Sequence, residues 1–334
     1  MRRSRLALAD IADLETLARA FWRAAKGKRE RPEVQRFAAR LDEELAALSA
    51  AILDGSLVLG EAGVFQIRDP KPRWLHAPAF RERVVHHALM DHLGPLLDRS
   101  LVDDTSACRV GKGSLAAVRR AQRHLQRFPW YVQIDVRGFF ASVEHRRLAE
   151  MLRRRLRDPG LLGLCDRIVA AHQASPGRGL PIGALTSQHF ANFYLGGLDR
   201  FLLEALQVAG MVRYMDDVVA WCSGREQARV ILDGIRGRLA ELGLEPRGEG
   251  LIQRSACGLS FLGFRIFAGA LRLSRRRRRR YARGRGAIEA AYGRGEISED
   301  GLQAGMDAVL AITAHADAAA WRREELRRRP PPEL

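Results

Sequence analysis

The sequence has few cysteines, few lysines and no long apolar run. Its four cysteines are far apart and form no CxxC pair. This spacing indicates neither a zinc site nor a disulfide framework, and it predicts a reduced chain in the cytoplasm. No apolar stretch approaches the length that spans a bilayer, and the stretch after the basic N-terminus is interrupted by Asp10 and Asp13, unlike a signal peptide.

Positive charge comes almost entirely from arginine. Four lysines accompany 52 arginines, and the net charge is +17 over 334 residues. A surplus of this size favours a polyanionic partner, either nucleic acid or an acidic membrane surface. Arginine binds phosphate bidentately, and we identify no amphipathic helix suited to a membrane surface. The apolar content of 47% is enough for a sizeable core in two or three packed units.

Apolar periodicity and turn residues predict both helices and strands. The period of three to four residues predicts helices over 6–54, 79–98, 115–126 (with Ser114 as the N-cap), 143–157, 227–242, 276–293, 299–314 and 316–328. Shorter runs of β-branched and aromatic residues predict strands over 56–59, 64–68 and 130–136, a β-hairpin around Asp216, and a strand pair over 259–267.

Two adjacent carboxylates, Asp216 and Asp217, lie between two apolar runs. We predict a β-hairpin with Met215-Asp216-Asp217 at or near its turn. An Asp-Asp pair alone is most often a solvated turn. The alternative is a metal site, because a divalent cation relieves the repulsion between two neighbouring anions.

A third carboxylate, Asp135, lies near the end of a strand that we expect to be largely buried. Such an acid is costly unless it is paired or binds a metal. A strand-end acid together with a hairpin-tip acid pair is the arrangement that holds two Mg²⁺ ions. Nucleotidyl transfer needs these ions, because charge builds up on the phosphoryl oxygens.

Two further segments have phosphate-binding character, and a third allows a close approach. The prolines around Lys71 and Arg73 keep this segment extended, so both cations point to one side; they suit a triphosphate or, alternatively, a solvated basic edge. Arg109 and Lys112 stand beside glycines but lack the spacing of a phosphate-binding loop. Gly183 lies in a Gly/Pro loop before a helix, where it lets a backbone or a ligand approach; an ordinary capped helix is the alternative.

The order of these motifs resembles that of a reverse transcriptase. The resemblance is carried by Asp135 with Phe139-Phe140, then Leu180-Pro181-x-Gly183, Tyr214-Met215-Asp216-Asp217 and Leu262-Gly263-Phe264. It implies an α+β right-hand polymerase fold. The implied domains are fingers over 1–128 (with 147–180 partly fingers and partly palm), a palm with the catalytic site over 129–267, and a helical thumb over 268–334.

The same resemblance implies roles for individual residues and ions. Two Mg²⁺ ions, with Mn²⁺ as an alternative, would bind Asp135, Val136, Asp216 and Asp217, and the three acids would be catalytic. Phe140 occupies the position of the gate that rejects a 2′-hydroxyl. The implied nucleotide pocket comprises Lys71, Arg73, Phe139, Phe140, Ile182, Gly183, Gln188, Tyr214 and Met215. Expected nucleic-acid contacts are Arg109, Lys112, Leu262, Gly263 and Phe264 (the last three in the primer-grip region) and Arg275, Arg276, Arg277, Arg278, Arg279 and Arg280.

One departure narrows the resemblance. Most reverse transcriptases have a QGxxxSP pattern, whereas here Ile182 takes the place of Gln and Gln188 the place of Pro. The resulting IGxxxSQ resembles reverse transcriptases of diversity-generating retroelements. These copy a template-repeat RNA into cDNA from dNTPs, with errors at adenines, beside a small basic accessory protein. The alternatives are a retron-like or phage-defence reverse transcriptase, and a non-catalytic RNA-binding protein on the same fold.

Overall fold

The computed structural model describes residues 3–60, 62–68 and 72–331. Within these residues helices and strands are mixed, as the expected α+β class requires. The helices are α1 Leu8–Ala12, α2 Leu14–Ala25, α3 Pro32–Ala39, α4 Leu41–Asp54, α5 Phe80–Asp98, α6 Ser114–Arg127, α7 Phe139–Ser142, α8 His145–Arg153, α9 Pro159–Ala170, α10 Leu185–Arg200, α11 Arg225–Glu241, α12 Arg275–Gly293, α13 Glu299–Ala311 and α14 Ala319–Arg328.

The strands form three separate antiparallel sheets. A two-stranded sheet, a four-stranded sheet in the order β4-β5-β3-β6 and a three-stranded sheet follow one another along the chain. The strands are β1 Ala62–Arg68, β2 Pro72–Pro78, β3 Trp130–Ile134, β4 Gly210–Tyr214, β5 Asp217–Cys222, β6 Leu251–Arg254, β7 Leu259–Phe261, β8 Phe264–Ile266 and β9 Leu271–Leu273.

The first four helices confirm the helical prediction for residues 6–54. Their apolar stripe is buried, and α2 packs along α5. Pro32 lies in the first turn of α3, where the helix has no hydrogen bond to lose, and Gly55 ends α4 in a left-handed conformation.

The strand predicted over 56–59 is wrong, because these residues have no regular structure. The Arg167 guanidinium binds the carbonyl oxygens of Gly55 and Leu57 at 2.7 and 2.9 Å, so side-chain donors occupy acceptors that a strand partner would use. The strand β1 pairs instead with β2, in a register that sets Ile67 opposite Arg73. Lys71 lies outside the described residues, as does the side chain of Arg73.

The four-stranded sheet has a core on each face, because successive side chains of a strand point to opposite sides. Val132 and Ile134 of β3 pack into the larger core, which includes residues of α10 and α11. Tyr131 of β3 and Trp221 of β5 pack into a second core with α6 and the three-stranded sheet. The helix α6 begins at Ser114 itself, so Gly113 and not Ser114 is its N-cap, and no side chain caps it.

The C-terminal third confirms the strand pair over 259–267 as the hairpin of β7 and β8, to which β9 adds a third strand. Three helices follow close to the predicted ranges, with α12 beginning at the first residue of the arginine run. None of the helices in the described residues has both the length and the apolar character that crossing a bilayer requires.

Candidate active site

A two-residue turn joins β4 to β5 and presents the Asp-Asp pair, which confirms the predicted hairpin. Tyr214 pairs with Asp217, so Met215 and Asp216 form the turn itself. Met215 has φ +55°, a left-handed conformation that is uncommon for a residue with a side chain. The guanidinium of Arg213, which is buried in the core next to the turn, donates to the Met215 carbonyl oxygen at 3.0 Å and so constrains this conformation.

Strand pairing brings Asp135 to the same turn. Ile134 lies opposite Val218 across β3 and β5, so the next residue, Asp135, emerges beside the turn. Burial and then the nearby negative charge of Asp135 raise the pKa of Asp216 to about 6. The two carboxylates therefore repel each other when both are ionised.

Asp217 lies in a different environment. Burial raises its pKa to about 7, and the neighbouring carboxylates contribute to the rise. The Gln133 amide Nε2 donates to its Oδ1 at 3.1 Å, and this bond acts in the opposite direction on the pKa. Gln133 was not among the site residues predicted from the sequence. Its position two residues before Asp135, on the same face of β3, is the signal that could have identified it.

Arg247 is a second residue that the sequence analysis missed. Its Nη1 donates to Asp135 Oδ2 at 2.5 Å, and its backbone N–H donates to the Asp135 carbonyl oxygen at 2.7 Å. It lies in the loop between α11 and β6, in the part of that loop that pairs with Val136 through Pro246. No local pattern marks it, because the contact depends on a strand more than a hundred residues earlier.

The fit of a divalent ion can be tested on these side chains. In the described ranges, no group of three or more His, Cys, Asp and Glu side chains is arranged to hold a metal. Asp135 and Asp216 do suit one, because a divalent cation would offset both the burial and the repulsion by Asp135 that raise the pKa of Asp216. Asp217 is held by Gln133. Two backbone hydrogen bonds flank Val136, from the Arg137 N–H to the Glu245 carbonyl oxygen and from the Arg247 N–H to the Asp135 carbonyl oxygen. Neither uses the carbonyl oxygen of Val136, which is the atom of Val136 that would bind a metal.

The three carboxylates open into a cavity of about 790 Å³. The predicted residues that line it beside the acids are Phe140, Tyr214, Met215, Leu262 and Arg276. Phe139 does not line it, because its ring is buried and packs edge-on against Phe140 at 5.7 Å between centroids. The aromatic pair thus divides into one core residue and one cavity residue.

The loop that carries Ile182 and Gly183 packs against the β1–β2 hairpin. The His76 N–H of β2 donates to the Ile182 carbonyl oxygen at 2.8 Å. Gly183 has φ +119°, and a Cβ there would lie 2.6 Å from the His76 carbonyl oxygen. The close approach that we expect at Gly183 is therefore made by the backbone of His76.

Gln188, in the first turns of α10, accepts a hydrogen bond from the Cys108 thiol at 3.1 Å.

Arg109 and Lys112 both have partners within the protein. Arg109 Nε donates to Asp98 Oδ1 at 2.5 Å, and Nη1 donates to two backbone carbonyl oxygens. Lys112 pairs with Asp103 at 2.5 Å. Both side chains therefore brace their own loop, and their contact with a phosphate stays a prediction.

The six arginines of residues 275–280 divide into two groups. Arg277 stacks 4.1 Å from the centre of the Phe264 ring, and a Cβ on Gly263 would lie 2.7 Å from its Nε. Arg278 stacks on Trp321 at 5.4 Å. These two are half-buried and join α12 to the hairpin of β7 and β8 and to α14. The others, Arg275, Arg276, Arg279 and Arg280, are exposed.

Several curated proteins are similar to this chain, two of them from Escherichia coli and Lactococcus lactis. Protein YkfC of Escherichia coli (strain K12) is 27% identical over 179 residues, which cover 50% of this chain and 47% of YkfC. The group II intron-encoded protein LtrA of Lactococcus lactis subsp. cremoris is 24% identical over 140 residues, which cover 40% of this chain and 23% of LtrA. The chain thus spans less than half the length of these relatives.

A solved structure and a protein family are also similar to this chain. A structure of telomerase from Candida tropicalis with a fragment of telomeric RNA is 12% identical, covers 84% of this chain and 58% of that chain, and has a TM-score of 0.48. Residues 68–264 match the family described as reverse transcriptase (RNA-dependent DNA polymerase), which has the expected right-hand fold. Because this match spans more than half of the chain, the protein belongs to the reverse transcriptase family of RNA-dependent DNA polymerases.

Proposed function

We propose that this protein synthesises cDNA on an RNA template by Mg²⁺-dependent nucleotidyl transfer, as the reverse transcriptase of a diversity-generating retroelement. The observation that carries the polymerase activity is the meeting of Asp135 and Asp216 in a cavity of about 790 Å³. Members of this family use divalent metals, and Asp135 and Asp216 are the carboxylates best placed to hold one. Asp217 and the Val136 carbonyl oxygen complete the proposed set.

The residues that line the cavity have separate roles in this proposal. A bound divalent cation would stabilise the charge that develops on phosphoryl oxygens. Phe140 would contact the sugar of the incoming dNTP and exclude a 2′-hydroxyl. Leu262, in the turn between β7 and β8, would support the primer end. Arg276, at the cavity wall on α12, would contact the primer–template backbone.

The loop of Ile182 would shape the nucleotide pocket together with β2, which carries Arg73. In the proposed domain division, residues 1–128 act as fingers, 129–267 as palm and 268–334 as thumb. Lys71 and Arg73 would contact the triphosphate of the incoming dNTP.

The diversity-generating assignment rests on Ile182 and Gln188. Glutamine at position 182 would offer hydrogen bonds to a nucleotide, whereas isoleucine offers only apolar contact. A pocket with fewer polar constraints discriminates less between correct and incorrect base pairs. The choice of adenine as the misread base rests on the resemblance alone. The proposed partners are a template-repeat RNA, its cDNA, dNTPs and a small basic accessory protein.

Primer extension on an RNA template tests this function. The assay contains Mg²⁺ and dNTPs, and the products are sequenced beside an Asp216→Asn control. Errors concentrated at template adenines support the retroelement assignment, while accurate cDNA assigns the protein to the retron-like or phage-defence class. RNA binding without any product, even after addition of a cognate accessory protein and RNA, contradicts the polymerase proposal.

A further inference from the structure

A fully buried arginine lies beneath the catalytic turn. A guanidinium has five N–H donors, and every one of those of Arg213 is used. Nε and Nη2 donate to Asp199 at 2.6 Å each, in the bidentate geometry that arginine and carboxylate prefer. Nη1 donates to the Asn192 Oδ1 and to the Met215 carbonyl oxygen, and Nη2 donates to the Asn192 carbonyl oxygen.

The partners of Arg213 also hold the segment over 104–107. Thr105 Oγ1 donates to Asp199 Oδ2 at 2.8 Å, and the Asn192 Nδ2 donates to the Ala107 carbonyl oxygen at 2.7 Å. The backbone of Arg213 bonds to Asp104 and Ser106, so the segment lies against β4 as well. The Arg213 side chain thus joins the hairpin tip to α10, the helix that also carries Gln188.

Net stability does not explain this arrangement. Removing an arginine and a carboxylate from water costs about as much as their attraction returns, and apolar residues of similar volume fill such a site at least as well. The bond from Arg213 to Met215 has a more specific consequence. It constrains a residue with a side chain at φ +55°, immediately before Asp216.

We propose that Arg213, Asp199 and Asn192 form a positioning network that holds Met215 in its left-handed conformation and thereby aims Asp216 at Asp135. These three are positioning residues, since none lines the cavity of the carboxylates. The inference rests on the proposed polymerase function, because it assigns these residues to the geometry of that same site. It extends the set of functional residues into the core beneath the turn.

The test separates positioning from stability by replacing the ion pair with apolar residues. Arg213→Met alone leaves the Asp199 charge buried without its partner, so a low melting temperature is expected. Arg213→Met/Asp199→Leu removes both charges and should recover most of the melting temperature that Arg213→Met loses, since only neutral groups such as Asn192 Oδ1 and Thr105 Oγ1 then lack a partner. If the network positions Asp216, the double variant should still show a kcat at least about 20-fold below wild type, with the KM for dNTPs changed less than about threefold.

Two further variants complete the design. Arg213→Lys keeps the charge but has only three donors, so it cannot keep every contact, and it should also lower kcat more than it raises KM. The buried Arg285 and the half-buried Glu289 form another ion pair, at 3.1 Å on α12, away from the turn. The matched double variant Arg285→Met/Glu289→Leu should keep kcat within about twofold of wild type.

Mn²⁺ binding measured by electron paramagnetic resonance provides a readout that does not need polymerisation. The wild type should bind Mn²⁺ at least about tenfold more tightly than Arg213→Met/Asp199→Leu and Arg213→Lys. A stable double variant, or Arg213→Lys, with wild-type kcat and Mn²⁺ affinity would overturn the positioning role. A wild type that binds Mn²⁺ but extends no primer would contradict the proposed function and leave this comparison of affinities to decide the inference.

Discussion

At the scale of single residues, the two carboxylates of Asp135 and Asp216 carry most of the functional argument. Folding holds them together although burial and mutual repulsion raise the pKa of Asp216 to about 6. The positive charge of Arg247 at Asp135 offsets part of this cost. A protein that only binds RNA has no need for such a pair, whereas nucleotidyl transfer requires oxygen ligands for divalent ions at this point.

Asp216→Asn should lower the rate of primer extension at least about 1,000-fold, because it removes the charge of a proposed metal ligand without changing the size of the side chain. RNA binding, measured by filter retention, should remain within about twofold, since phosphate contacts by arginine dominate it. The matched variant is Asp217→Asn. Because Gln133 already holds Asp217, we expect a smaller loss there, and equal losses would argue against this division of roles.

Phe140→Ala should let the enzyme accept ribonucleotides. The ring of Phe140 lines the cavity of the carboxylates, so its removal opens space for a 2′-hydroxyl. The preference for dNTP over rNTP, measured as a ratio of kcat/KM values, should fall about tenfold or more. Phe139→Leu is the control: Phe139 is buried, so this change should lower the melting temperature and leave the sugar preference unchanged. An unchanged preference in Phe140→Ala would remove the gate role.

Ile182→Gln should reduce misincorporation. The added amide can form a hydrogen bond with the nucleotide, and one such bond is worth about 0.5–1.5 kcal/mol, which corresponds to about a two- to tenfold change in discrimination. Sequencing of cDNA copied from one RNA template measures the error frequency at each base. The steric control is Ile182→Leu, which keeps an apolar side chain and should keep the error spectrum. Equal error frequencies in the glutamine variant and the wild type would refute the pocket argument.

At the scale of elements, the site depends on contacts between segments that are distant in sequence. The loop of Ile182 and Gly183 touches β2, and the loop after α11 touches the end of β3. In both cases backbone hydrogen bonds fix the distance, so side chains on the two segments keep their spacing. A change that separates the Ile182 loop from β2 should therefore act on substrate binding, whereas a change that separates the loop after α11 from β3 should act directly on Asp135.

Gly183→Ala tests this at the contact with β2. The new Cβ would lie 2.6 Å from the His76 carbonyl oxygen, and φ +119° is strained for alanine. The loop should move or lose about 1 kcal/mol or more of stability, and the KM for dNTPs should rise at least about fivefold with a smaller change in kcat. Gly111→Ala is the control, since φ is +74° but no atom lies within 4 Å of the added Cβ. Equal kinetics in both variants would show that the contact does not shape the pocket.

The elements also explain what the sequence could and could not predict. The hairpin of Asp216 and the strand before Asp135 were predictable, because each is a local run of apolar residues that ends at an acid. The contact between Arg247 and Asp135 was not, since it depends on how two distant segments pair. The strand prediction for residues 56–59 was wrong for a similar reason. Their composition suits a strand, but Arg167 from α9 occupies the carbonyl oxygens of Leu57 and of the preceding Gly55.

At the scale of the whole molecule, the net charge of +17 would make the proposed affinity for RNA sensitive to salt. The described contacts show that charge alone does not identify the binding surface. Arg109, Arg277 and Arg278 belong to internal contacts, although the sequence places them among the candidate phosphate ligands. The exposed arginines of α12 are better candidates, because Arg276 reaches the cavity of the carboxylates.

The triple variant Arg276→Gln/Arg279→Gln/Arg280→Gln tests this surface, since these positions share one face of α12. If each side chain contacts a phosphate of single-stranded RNA, the slope of log K against log salt concentration should decrease in magnitude by about 2. The matched control is Arg36→Gln/Arg225→Gln/Arg229→Gln, which removes the same charge from exposed positions that do not line the cavity. That control should change the slope by much less. Equal slopes in the two variants would mean that RNA binding depends on the total charge of the protein, and that α12 provides no specific binding surface.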